Sequence, residues 1–124
     1  MGLFSGLMGH GSEVDGDRLD ELFGPVLVEG EQVDKAFQLI RDLFVFTNKR
    51  LVLVDKQGLT GKKMEMLSIP YGKITKYSFE TAGHFDMDAE IRLWVGSEPE
   101  PIKKEIARGT DIRELYQVLS SHLL

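Results

Sequence analysis

The chain has 124 residues and a mass of 14.0 kDa, which is room for one domain of ordinary size that can bury a core without a metal or disulfide staple. With 42% hydrophobic and 28% charged residues it reads as a folded globular protein, and its lack of cysteine excludes disulfides and thiolate chemistry and fits a reducing compartment. A net charge of -5 and a sequence pI near 5.2 set the protein as a whole against phosphate backbones and anionic membranes, so nucleic acid is not an expected partner and only a local basic patch would serve such a ligand.

Residues 1–14 read as an apolar, glycine-rich arm carrying Leu3, Phe4, Leu7 and Met8, either loose or docking as a short segment, set apart from a domain expected over residues 15–124. The opening MGLFSGLMGH is short, has no basic leading region and no cleavage site, so it does not read as a secretory signal. Gly6 stands where a myristoylation signal wants Ser or Thr. No apolar run reaches the roughly 20 residues that a spanning helix needs, and a cytoplasmic location is expected.

Asp15 or Asp17 is placed to cap a short helix with Leu19, Leu22, Phe23 and Val26 on one face, stopped by Gly24-Pro25. Glu31 to Arg41 reads as a strand, because it enters the next segment with no helix stop. That segment, Asp42 to Asp55, is the centre of the chain: Leu43-Phe44-Val45-Phe46 and Leu51-Val52-Leu53-Val54 flank the polar Thr47-Asn48-Lys49-Arg50 as a β-hairpin does. Both runs are apolar at nearly every position, which requires cover on both faces. A strongly bent sheet with the closing helix packed against it is expected to supply that cover.

Gly58 to Lys63 reads as a connection, Met64 to Ile69 as a strand, Pro70-Tyr71-Gly72 as a turn and Ile74 to Thr81 as another strand. His84 to Val95 alternates most cleanly, with Phe85, Met87, Ala89, Ile91, Leu93 and Val95 on one face and His84, Asp86, Asp88, Glu90, Arg92 and Trp94 on the other. Ile102 to Ala107 reads as a last strand. Asp111 and Glu114 have the spacing of a capping box, opening a helix with Ile112, Leu115, Tyr116, Leu119 and Leu123 in one stripe.

Four stretches resemble the bacterial pleckstrin-homology-like domain family: Phe46-Thr47-Asn48-Lys49-Arg50-Leu51, Asp55 to Lys63, Ser68-Ile69-Pro70-Tyr71, and Glu80 to Glu90. The likeness runs from about Leu19 to the C-terminus. It implies a mainly β fold, α+β by content: a seven-stranded, partly open barrel of two orthogonal antiparallel sheets, capped by a C-terminal α-helix, here with a short N-terminal helical segment. It further implies a non-catalytic binding or scaffolding module that self-associates, often into rings. Eukaryotic relatives that bind phosphoinositides carry a basic cluster between the first two strands, where this chain offers only Arg41-Asp42, so that ligand is not carried over.

The polar side chains otherwise suggest little chemistry. His84, Asp86, Asp88 and Glu90 share a strand face, but neighbours at i and i+2 stand about 7 Å apart and do not converge on one ion, so a solvated face or a subunit contact is expected and no metal. Gly58-Leu59-Thr60-Gly61-Lys62-Lys63 has two residues between its glycines where a phosphate loop has four, and it lies between strands. His10, His84 and His122 have no matched nucleophile, so neither catalytic residues nor a cofactor are expected.

Two kinds of contact residue remain. Lys56, Lys62 and Lys63 flank one connection and offer a phosphate or acidic-partner contact, while Lys49-Arg50 lies at the other end of the same strand, about 15 Å or more away. Trp94, a large aromatic among charges, joins Leu3, Phe4, Leu7 and Met8 as candidates for self-association, against ordinary burial within one chain. The expected function is a non-catalytic module that forms a ring-like homo-oligomer and binds a protein partner or a membrane-associated complex. The alternative is a peripheral sensor of phospholipid headgroups that uses the three lysines and the apolar arm.

Overall fold

The computed structural model describes residues 16–40, 42–57, 63–81, 89–106 and 110–124. Helix α1 (Gly16–Phe23) leads into strands β1 (Val33–Gln38), β2 (Asp42–Thr47), β3 (Arg50–Gln57) and β4 (Lys63–Pro70). A 3-10 turn over Tyr71–Lys73 separates these from β5 (Ile74–Thr81), β6 (Ala89–Val95) and β7 (Ile102–Ile106), and helix α2 (Ile112–Leu123) closes the chain. The strands form two antiparallel sheets, β1-β2-β3-β4 and β5-β6-β7, which do not close on each other. This is the partly open, helix-capped arrangement that the resemblance implies.

Alternation decides the packing. Phe44 and Phe46 of β2, with Leu51 and Leu53 of β3, face inward onto Ile91, Leu93 and Ile106 of the second sheet and onto Ile112, Leu115 and Leu119 of α2. Leu43 and Val45, with Val52 and Val54, face the other way. The expectation that bending and the closing helix would cover both faces is corrected here: α1 covers the outer one, through Leu19 and Phe23. A sheet face carrying four aliphatic residues cannot be left in water when each buried side chain contributes roughly 1.5–3 kcal/mol. All six residues of β2 are therefore buried.

Boundaries shift by small amounts. Asp17 lies inside the first turn of α1 rather than at its cap, and Asp15 falls outside the described residues. Val26 lies beyond the helix, in the turn that follows Gly24. The Gly24 N–H closes the helix on the Asp20 carbonyl at 2.9 Å, so close that a Cβ at Gly24 would stand 2.8 Å from that oxygen. β1 occupies only the middle of the expected strand: Glu31 precedes it in a loop, while the Leu39 N–H turns back onto the Asp42 carbonyl.

Helix α2 begins as its sequence prescribes, with Asp111 Oδ1 accepting from the Glu114 N–H at 3.0 Å. The Glu114 carboxylate pairs with Lys35 of β1 at 3.2 Å, which ties the first turn of α2 to the four-stranded sheet. Its last turn is tied down too. The His122 ring stacks on Tyr71 at 4.6 Å and on Phe46 at 5.6 Å, with Nε2 3.0 Å from Asp34. Tyr116, expected in the buried stripe, is 37% exposed, because it lies beside the open edge of β5 against Tyr77 and Phe79.

Candidate functional site

The densest polar construction lies at the turn between β2 and β3. Glu31, whose side chain is fully buried, receives four donors: Arg50 Nε and the Thr47 hydroxyl on Oε2 at 2.8 and 2.7 Å, and an Arg50 terminal nitrogen and the Val28 N–H on Oε1 at 2.9 and 3.1 Å. Arg50 reaches on to the Val26 carbonyl and to Ser68 Oγ, both at 3.1 Å. Burial alone would raise the Glu31 carboxyl, but hydrogen bonds from Arg50, Thr47 and the Val28 N–H, together with the Arg50 charge, outweigh it and lower the group to about 2.

The turn itself is held by side chains. Thr47 Oγ1 accepts from the Lys49 and Arg50 N–H groups at 3.0 and 2.9 Å. Asn48 Oδ1 accepts from the Gln32 N–H at 2.8 Å, and its Nδ2 donates to the Gly30 carbonyl at 3.0 Å. Tyr71 donates its hydroxyl to the Thr47 carbonyl at 2.6 Å, and burial followed by the nearby Asp34 charge pushes that phenol well above its usual range. Two of the stretches that carry the family resemblance, Phe46 to Leu51 and Ser68 to Tyr71, thus converge on one network that latches the loop before β1 to the β2–β3 turn. Glu31 has no signal in the sequence, since its partner stands 19 residues away and only the fold brings them together.

This latch removes Arg50 from the basic residues offered to a ligand, leaving Lys49 exposed beside it. At the opposite end of β3, register pairs Lys56 with Met64 and Gln57 with Lys63. The backbones of Lys56 and Lys63 therefore share one end of the hairpin, with Lys63 exposed, while Lys62 lies outside the described residues. Leu3, Phe4, Leu7 and Met8 lie outside them as well, as do His84, Asp86 and Asp88. Among the described residues no cluster of His, Cys, Asp or Glu could hold a metal ion, and no helix is long and apolar enough to cross a membrane.

Trp94 is half-buried on the outer face of the three-stranded sheet. Lys76, its cross-strand partner in β5, places Nζ 4.4 Å above the ring, a cation–π contact. One pair further on, Arg92 binds Glu90 at 2.7 Å and Glu80 at 3.1 Å. The sheet thus presents an aromatic flanked by charges that are mostly satisfied among themselves.

Two open antiparallel sheets of four and three strands, with a helix closing one end, define a pleckstrin-homology-like module. The profile of the bacterial PH domain matches residues 2–123, and the chain belongs to that family. It is 46% identical to the uncharacterized protein YjqA of Bacillus subtilis, over 98% of each chain. It is 30% identical to the uncharacterized protein YvbH of the same organism, over 92% of this chain and 58% of the longer relative. Among solved structures it is similar to a pleckstrin homology domain from Shewanella amazonensis, with 48% identity, a TM-score of 0.80 and 91% of each chain covered. A pleckstrin-homology protein from Shewanella loihica gives 47% identity and a TM-score of 0.78 over 91% of this chain and 97% of that one.

Proposed function

We propose that this bacterial PH domain is a non-catalytic binding module that associates with copies of itself and, as a ring-like cytoplasmic scaffold, binds a protein partner or a membrane-associated complex. The observation that carries the reading is Trp94: a large aromatic left half-buried on the outer face of a sheet, with the Lys76 ammonium over its ring. Neighbouring ion pairs leave that face without strong net repulsion, a condition for stacking like surfaces. Leu3, Phe4, Leu7 and Met8 supply further apolar contacts in this reading. No reaction and no cofactor are proposed. Light scattering at micromolar concentration tests it: the expected mass is a multiple of the 14.0 kDa chain, and Trp94→Glu lowers it. A monomeric mass for the unaltered protein overturns the proposal.

A second reading has the pair Lys56 and Lys63, with Lys62, meeting phospholipid headgroups while the apolar arm enters the interface. Its support is the shared hairpin end to which register brings Lys56 and Lys63. Here co-pelleting with liposomes rises with anionic lipid and falls with salt, whereas the scaffold alone gives no such dependence.

A further inference from the structure

We propose that the free edge of β4 takes up an extended, basic-apolar peptide segment of a partner protein as an added strand. β4 ends the four-stranded sheet, and no strand borders its other side among the described residues. Only Ile69 of its eight residues is buried, and Met64 and Leu67 are 38% and 39% exposed. Up to Pro70, which has no N–H, the edge offers a row of backbone donors and acceptors that sheets ordinarily pair or shield.

A groove of about 380 Å3 runs along this edge. Leu67, Ser68, Ile69 and Pro70 line it consecutively, so residues of both parities border it, as happens when a strand presents its side rather than one face. Across the gap stand Val95 and Ile102, the ends of β6 and β7, which make its far wall apolar. A strand laid against β4 would place alternate side chains between the exposed Leu67 on one side and Val95 and Ile102 on the other. Main-chain hydrogen bonds supply affinity in such additions, and the pocketed alternate side chains supply selectivity.

Charge selects the occupant. Glu98 and Glu100 rim the groove from the β6–β7 turn and Lys73 from the other side. Neither carboxylate has an ion-pair partner among the described residues, whereas Arg50, Arg92 and Lys104 are each paired. Two unpaired carboxylates against one ammonium favour a segment with lysine or arginine beside its apolar residues, and they disfavour an acidic one. This deepens the protein-binding half of the function proposed above. It is independent of self-association, which solution mass tests separately.

The probe is a fluorescein-labelled peptide, Thr-Val-Lys-Val-Thr-Val-Lys-Thr, titrated with the whole protein and read by anisotropy. Saturable binding is expected at about 100 μM or tighter, with a loss of about tenfold or more when glutamate replaces its lysines, and likewise for Glu98→Lys with Glu100→Lys in the protein. Leu67→Asp weakens binding comparably, and the exposed Glu98 and Glu100 changes serve as the second variant should Leu67→Asp not fold. Successive N–H groups of a strand point to opposite sides, so of two peptides N-methylated on alternate residues only one should bind. Equal binding of both methylated peptides, equal binding of acidic and basic peptides, or no saturation would each overturn the proposal. So would a β4-to-β4 dimer, seen as a doubled mass that Leu67→Asp abolishes.

Discussion

Arg50 and Glu31 face each other across 2.8 Å, joining the first residue of β3 to a loop that precedes β1, and the carboxylate is wholly withdrawn from solvent. The pair is reinforced by Thr47, Val28, Val26 and Ser68, so neither partner is satisfied by the other alone. Such a site is costly to open from one side, because the charge left behind keeps its burial and loses its compensation.

Arg50→Ala should therefore destabilise the fold by about 3 kcal/mol or more, whereas the double change Arg50→Met with Glu31→Leu should cost less than the two single changes summed. Chemical denaturation of the unaltered protein, Arg50→Met, Glu31→Leu and the double variant measures the coupling. A sum that is simply additive would mean the pair acts no more strongly than a surface ion pair.

The pH dependence follows from the same carboxyl. Its folded value of about 2 lies below the ordinary 4.5, so the unfolded chain binds the proton more readily. The stabilisation is fully present above about 4.5 and is lost as pH falls toward about 2. Thermal melts across that window should show a slope that Glu31→Gln reduces.

Helix α1 is the test of the outer core. Phe23 is fully buried among Leu43, Val45, Val52 and Val54, so Phe23→Ala should cost about 3–5 kcal/mol. That is a large part of the roughly 5–15 kcal/mol typical of a whole domain, so the variant should melt at a much lower temperature or fail to accumulate folded. A change within about 0.5 kcal/mol, the range of an ordinary surface position, would show that α1 does not seal the sheet.

Asp111→Ala removes the side chain that accepts from the Glu114 N–H and should cost about 1 kcal/mol, with Asp111→Asn close to neutral. Equilibrium unfolding distinguishes the two. Gly30→Ala, by contrast, is penalised by the backbone: its φ of 82° lies where a Cβ is strained, and the Gly30 carbonyl is also the acceptor for Asn48.

Elements were legible where a short-range pattern exists. The alternation Ala89, Ile91, Leu93, Val95 locates β6, paired apolar runs locate β2 and β3, and the Asp111 spacing locates the start of α2, because period and capping act between neighbours in the chain. The doubly apolar hairpin even announced that two layers must cover it. Which layers do so was not written there: α1 and α2 are both amphipathic, and only the direction in which the sheet bends assigns one to each face.

The surfaces were legible least. The sequence by itself determined the order of the elements found among the described residues, the absence of cysteine chemistry and the family, since these depend on local periodicity and residue identity. Only the tertiary structure decided that Arg50 belongs to Glu31 and that β4, among the described residues, is left with an open side along a groove rimmed by Glu98 and Glu100. Pairing at a separation of 19 residues, and the gap between two sheets, arise from how strands bend and close in space, which no neighbour-to-neighbour pattern encodes.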